Sequence, residues 1–441
     1  MMSTLSDMNI LTKQQKIAEK SRQSPQMAWT CLAHHIDLDW LEAAWRRTRK
    51  DGAAGIDGVT AQDYEEHLAE HLTALLNRFK SGSYRAPPVR RVHIPKEGTK
   101  KTRPIGIPTL EDKILQRAVQ MVLEPIYEQD FLNCSYGFRP KRSAHQALEA
   151  LWRGLMRMGG GWVVDLDIQS FFDTVDKAKM RGFLDKRVRD GVLRRTLGKW
   201  MKAGVIEAGK YHRPEHGVPQ GGVISPLLSN LYLHEVLDLW FEHEVKPRLG
   251  GAAFMVRFAD DAVLVFKQEA DARRVLKVLP KRFGRFGLTL HPDKTRLVDF
   301  RIPPQRDTGG TQGERSFDVL GFTHYWGRSR KGRWVVQRKT AKSRFGRAAR
   351  RIAQWCRANR HRPVAQQCKA LRQKLKGHYA YYGISGNAKA LSRFRSEAQR
   401  QWRKWLGRRS HAGRMNWETF QRLSQRYPLP PVRVVHSIYV T

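Results

Sequence analysis

The stretch MVRFADDAVLVF, residues 255–266, sets Asp260 and Asp261 side by side where one apolar run gives way to another. Residues 256–258 and 262–266 are rich in β-branched and aromatic side chains and read as two strands, so the carboxylates fall at a hairpin tip. Adjacent carboxylates near a core repel each other and lose hydration, which is unfavourable unless positive charge lies between them. A divalent cation answers that need, and Mg²⁺ commonly takes one or two carboxylates plus phosphate oxygens. Alone, the pair reads first as a surface turn, where Asp is common. The rest of the chain bears on the choice.

A second centre lies upstream. In GWVVDLDIQSFFDTVD, residues 161–176, Val163, Asp165 and Asp167 alternate with Val164, Leu166 and Ile168, which puts both acids on one face of a strand. An acid at the end of an apolar strand is a usual place for chemistry in α/β proteins, while Asp173 also reads as a helix N-cap. Asp167 is therefore the candidate partner of Asp260.

Other stretches are informative in company rather than alone. IPKEGTKKTRPIGIP, residues 94–108, has the shape of a two-stranded finger bearing Lys96, Lys100, Lys101 and Arg103, groups that hold phosphates or are simply solvated. Residues 110–127 are helical in period, with Ile114, Leu115, Ala118, Val122 and Leu123 on one face. SYGFRPKRSAHQAL, residues 135–148, offers Arg139, Lys141 and Arg142 ahead of a helix. In HGVPQGGVISPLLSNLYLHEVL, residues 216–237, Gly217, Gly221 and Gly222 let the backbone approach a ligand around Gln220, or form a plain connector; Ser225 and Pro226 read as N-cap and first-turn proline. FGLTLHPDKTRLVDF, residues 286–300, presents Lys294, and FDVLGFTHYW, residues 317–326, reads as a short strand interrupted by Gly321. Beyond it the period turns helical, with stripes through Phe345, Ala348, Ile352 and Trp355, through Val364, Cys368, Leu371 and Leu375, and through Leu391, Phe394, Ala398, Trp402 and Trp405. Three such stripes imply a helical bundle with arginines such as Arg344, Arg347, Arg350, Arg351 and Arg357 opposite its core.

At 441 residues the chain is too long for one core, and its formal net charge is +40. From Gly321 onward there are 30 Lys or Arg against two acids, Glu397 and Glu418. That field attracts polyanions, making nucleic acid the leading partner and an anionic membrane the competitor. No apolar run has the length of a membrane span, and the first residues lack the order of a signal peptide. The four cysteines are far apart with no C-x-x-C pair, so zinc ligands are missing. They are expected as core thiols in a reducing, cytoplasmic-type compartment.

Taken in order, these stretches resemble a reverse transcriptase of the group II intron-encoded type over nearly the whole chain. RFADDAVLVF is similar to the palm hairpin, VVDLDIQSFFDTVD to the strand with the first catalytic acid, and GVPQGGVISPLLSNLYL to the nucleotide-site motif. IPKEGTKKTRPIGIP resembles the fingers segment, LTLHPDKT the lysine-bearing palm element, and FDVLGF the primer-gripping turn. LRQKLKGHYAYYGISGNAKAL, residues 371–391, resembles the maturase-type thumb. Three positions depart from the common pattern: Phe258 stands for Tyr, Lys177 for His and His291 for Asn.

The resemblance implies an α+β right-hand polymerase. A helical N-terminal extension over residues 1–80 would precede fingers and palm over 81–325, a helical thumb over 326–400 and a basic nucleic-acid-binding segment over 401–441, with no zinc-type endonuclease. It implies two Mg²⁺ ions, with Mn²⁺ as a substitute, held by Asp167, Asp260, Asp261 and the carbonyl of Ile168. Lys96 and Arg103 would clamp the triphosphate, Gln220 and Gly221 line the nucleotide, Phe172 act as steric gate, and Lys294 protonate pyrophosphate. The expected partners are deoxynucleoside triphosphates, an RNA template with DNA primer, group II intron RNA whose splicing is assisted, and target DNA for retrohoming, with no membrane. With this resemblance the expected location is the bacterial cytoplasm or nucleoid. A relative domesticated for phage defence or DNA repair, or a splicing factor with little polymerase role, is the alternative.

Overall fold

The fold is known from a computed structural model, which describes the chain outside residues 1, 96–101, 208, 213–216, 218–220, 304–314, 410–414 and 438–441, with side chains from residue 7 on. It opens with helices α1 (Met2–Gln23), α2 (Leu38–Arg47), α3 (Ala61–Glu65) and α4 (Leu68–Ser81). Their ends follow from local chemistry. Asp37 caps α2 by accepting from the Trp40 amide, Thr60 and Asp63 form a reciprocal capping box on α3, and α4 stops at Gly82, whose φ of +80° suits glycine.

The antiparallel strands β1 (Val89–Pro95) and β2 (Thr102–Ile107) lead into the long helix α5 (Leu110–Asp130). All five expected apolar positions on α5 are buried, and α1 and α2 pack on it, with the Gln14 amide donating to Met121 O at 2.7 Å and the Trp40 indole to Ala118 O at 2.9 Å. Next come α6 (Ala144–Met158), β3 (Gly160–Leu166), β4 (Ile168–Gln169), α7 (Phe171–Thr174), α8 (Lys177–Asp185), α9 (Gly191–Met201), β5 (Val205–Glu207), β6 (Lys210–His212) and α10 (Ser225–Leu233). Helix α10 runs on through π-helical turns over His234–Asp238 and Trp240–Val245. The hairpin β7 (Ala253–Phe258) and β8 (Asp261–Phe266) precedes α11 (Glu269–Gly284), β9 (Thr289–Leu290) and β10 (Arg296–Arg301).

The remaining elements are β11 (Phe317–Val319), β12 (Phe322–Arg328), β13 (Trp334–Thr340) and helices α12 (Lys342–Ala358), α13 (Val364–Tyr382), α14 (Ala388–Leu406) and α15 (Trp417–Arg426). The chain divides into two compact units, Met1–Ala147 with Val164–Leu297, and Leu148–Val163 with Val298–Thr441. One sheet has the order β2-β1-β5-β6 and a second the order β10-β3-β8-β7, while β4 pairs with β9 through Ile168 opposite Leu290. In the second unit β11-β12-β13 form an antiparallel meander, and the three expected apolar stripes meet in one core around Leu371, Leu375, Leu391, Phe394 and Trp402.

Several expectations are corrected. FDVLGFTHYW is a hairpin rather than one interrupted strand, because Leu320 and Gly321 both adopt positive φ, 49° and 83°, and so form a two-residue reversal. Helical structure begins only at Lys342, since the β-branched pair in Trp334–Thr340 extends the sheet as β13. Ser225 is the first residue of α10 and Ile224 its N-cap, with no side-chain cap bond. Asp173 lies inside α7; the capping carboxylate nearby is Asp176, which accepts from the Ala178 and Lys179 amides. Cys31 is exposed rather than a core thiol, whereas Cys356 and Cys368 are buried.

Candidate active site

The hairpin is one residue tighter than the sequence suggests, because Asp261 already belongs to β8 and only Asp260 of the pair lies at the tip. Phe258 pairs with Asp261, leaving Ala259 and Asp260 as the tip. Ala259 sits at φ +56°, unfavourable for a residue with a Cβ. Its neighbours hold it there. Gly137 packs so closely that a Cβ on it would come within 2.2 Å of the Ala259 nitrogen. From within the core, Arg257 donates to Ala259 O at 2.9 Å.

Arg257 is itself the centre of a buried network. Its Nε and Nη2 donate to the Asp238 carboxylate at 2.7 and 2.6 Å, and Nη1 donates to Asn230 Oδ1 at 3.1 Å. Asn230 passes the connection on, donating from Nδ2 to Gly137 O at 2.6 Å. Both members of the ion pair are 0% exposed. Burial pushes the Asp238 carboxyl up, but Arg257 and His234 together outweigh it and leave the carboxyl below its ordinary range. The signal for this network was available in the sequence as an arginine inside an apolar strand and an acid inside the apolar run VLDLW, but neither position suggested chemistry.

Asp167 follows β3 directly, and Asp260 immediately precedes β8, the strand hydrogen-bonded to β3. The Lys294 ammonium rests on Asp167, 3.2 and 3.1 Å from its two oxygens, and Thr295 and His291 bond to the Asp167 backbone. Asp165, the other acid of the motif, is 3.5 Å from Arg296. Asp261 is exposed at the start of β8, and Ile168 is buried in β4. Among the described residues no three His, Cys, Asp or Glu side chains converge as a metal cage. Asp167 and Asp260 are oxygen donors of the kind a hard divalent ion takes when water and phosphate oxygens complete its shell.

The glycines of the stretch 216–237 make close backbone approaches. Gly217, at φ +84°, lies against the backbone of Phe172 and Asp173, where a Cβ would come within 2.7 Å of Phe172 O. Gly221, at φ +114°, would put a Cβ 2.4 Å from Gly106 O on β2. The same stretch is anchored below by Gln116, whose Oε1 accepts from the Ile224 amide at 3.3 Å. Gln116 in turn donates at 3.2 Å to Asp112, a buried carboxylate that also receives the Tyr84 hydroxyl and the Trp200 indole. Burial pushes the Asp112 carboxyl up to about 6, against the pull of those donors. The sequence reading missed this anchor too, since it singled out neither Asp112 nor Gln116.

Phe172 is half-buried and meets Phe171 edge-on at 5.3 Å between ring centres, and Arg103 is exposed on β2 opposite Ile94. Lys96 and Gln220 lie outside the described residues. Arg139, ahead of α6, is buried, chelates Glu128 at 3.0–3.1 Å and donates to the carbonyls of Leu132 and Ser135.

Residues 94–324 match the family model for reverse transcriptase (RNA-dependent DNA polymerase). The chain belongs to the reverse transcriptase family. Among curated relatives it is 37% identical to Protein YkfC of Escherichia coli over 66% of this chain and 85% of that one. It is 35% identical to the group II intron-encoded protein LtrA of Lactococcus lactis over 53% of this chain and 40% of LtrA, and 28% identical to nuclear intron maturase 2 of Arabidopsis thaliana over 55% and 38%. The chain thus spans most of YkfC but well under half of the intron-encoded relatives.

Proposed function

We propose that the chain is a group II intron-type RNA-directed DNA polymerase that copies RNA into DNA and assists intron splicing by binding the intron RNA. The observation that supports the reading is that Asp167 directly follows β3 and Asp260 directly precedes β8, its hydrogen-bonded neighbour, with a lysine ammonium against the first. Similarity to LtrA and to nuclear intron maturase 2 supports the intron assignment. Residues 1–80 then serve as N-terminal extension, 81–325 as fingers and palm, 326–400 as maturase-type thumb and 401–441 as a basic nucleic-acid-binding segment.

In this reading Asp167 and Asp260 hold Mg²⁺, or Mn²⁺ in its place, with help from Asp261 and the Ile168 carbonyl. The bound ions supply Lewis acidity, lowering the pKa of the primer 3′-hydroxyl and neutralising the leaving pyrophosphate. Lys96 and Arg103 grip the triphosphate, and Gln220 and Gly221 line the incoming nucleotide. Phe172 sets its ring beneath the sugar and excludes a 2′-hydroxyl. Lys294, which lies against Asp167, would protonate pyrophosphate. The partners are deoxynucleoside triphosphates, primed RNA template, intron RNA and target DNA.

The test is primer extension on an RNA template with Mg²⁺, supplying deoxynucleotides and ribonucleotides in parallel. Asp260→Asn should reduce DNA synthesis by at least about a hundredfold without loss of folding. Phe172→Ala should admit ribonucleotides. Undiminished synthesis by Asp260→Asn would remove the metal assignment.

A further inference from the structure

Phe138 combines two features that seldom occur together. It is one of the most exposed large apolar residues, at 58%, and its backbone is in the left-handed region at φ +57°. A bulky L-residue there is a genuine outlier, and strain of this kind persists only where its surroundings over-determine it. They do so here. On one side Gly137 is jammed against the Ala259 backbone and its carbonyl is held by Asn230; on the other, Arg139 is buried in its carboxylate and carbonyl partners. The ring is therefore presented to solvent by a fixed segment, not by a slack loop.

Its location gives the exposure a meaning. The ring centre is 6.4 Å from that of Phe258, the residue just before the Ala259–Asp260 tip. The two rings make an apolar ledge beside the turn that carries Asp260. We infer that Phe138 is a docking platform for the sugar and base of the primer's terminal nucleotide, a role that rests on the polymerase reading above. The hydroxyl that reacts must reach Asp260, so the nucleotide bearing it is the one that comes within range of a ring flanking that turn. An aromatic face accepts any base, which suits a position that must serve every sequence. The incoming nucleotide has other neighbours in this reading, Phe172 and Gly221. An idle surface ring would be an unfavourable choice here, because glycine at the same position would relieve the backbone.

The experiment compares wild type, Phe138→Gly and Phe138→Tyr by thermal melting, by steady-state extension, and by the fluorescence of 2-aminopurine placed at the primer 3′ end of a bound duplex. Phe138→Gly should melt higher, raise KM for primer–template about tenfold with KM for deoxynucleotide unchanged, and alter the 2-aminopurine signal; Phe138→Tyr should restore the last two. A higher melting point with KM and fluorescence both unchanged would overturn the inference, as would an effect confined to the deoxynucleotide KM. Because the fluorescence needs no turnover, a wild type that binds the duplex but extends nothing would sink the polymerase reading and still test the platform.

Discussion

Asp238 and Asp112 are both buried aspartates, yet they respond to pH in opposite directions. Asp238 is lowered because Arg257 and His234 together outweigh burial, so the stability it contributes is present above the unfolded value near 4 and is lost as pH falls below it. Asp112 is raised to about 6 because burial outweighs its neutral donors; the folded state holds a proton that the unfolded chain releases, and stability declines from about pH 4 to pH 6. Melting temperatures should show both trends, with Asp112→Asn flattening the slope between pH 4 and 6 and leaving the acid limb in place. Removing one partner of the buried pair is a harsher change. Asp238→Ala strands the Arg257 charge and should destabilise by about 3–5 kcal/mol in denaturant unfolding. At this scale the placement of Asp167 after β3 and Asp260 before β8 was readable, because carboxylates beside apolar strands are conspicuous in a sequence. Arg257, Asn230 and Gln116 were not, because what matters in them is a partner more than a hundred residues away or hidden on another element.

Elements with a strong period were legible throughout, from α5 with its buried face to the three stripes that converge in the core of the second unit. The hairpin of β7 and β8 and the finger of β1 and β2 were equally plain, since apolar runs flank a short polar break. The failures occur where backbone conformation rather than side-chain pattern decides. In FDVLGF the hydrophobic run continues through the reversal, and nothing in Leu320 announces a positive φ; only Gly321 does. That turn is pinned by the Tyr381 hydroxyl, which donates to Leu320 O at 2.8 Å, and by Tyr382, whose hydroxyl would lie 3.1 Å from a Cβ at Gly321. Gly321→Ala combines a left-handed backbone with a tight approach to that hydroxyl and should destabilise by about 1–2 kcal/mol in urea unfolding. If the turn aligns primer, as the resemblance implies, the same variant should also lower extension. Unchanged stability would mean that the turn relaxes freely.

For the whole molecule the governing quantity is charge, and it was readable from composition alone: a net +40, with 30 Lys or Arg and two acids after residue 320. Composition could not say where that charge lies, because sequence periodicity gives a face only once the helices are packed. In the second unit the apolar stripes of α12, α13 and α14 turn inward to a shared core, and Arg344, Arg350 and Arg357 on α12 are exposed. A field of this kind binds polyanions largely by releasing counterions, so affinity for a structured RNA should fall linearly on a plot of log K against log salt. Changing these three arginines to glutamine should reduce the slope by about 2–3, at roughly 0.7–0.9 for each phosphate no longer neutralised. Melting temperature should stay within a degree or two, since exposed charges contribute little to folding. Titrations of a structured intron RNA at several salt concentrations would measure both slopes. An unaltered slope would mean that the arginines of α12 face away from the RNA and that its phosphates are met elsewhere on the basic surface.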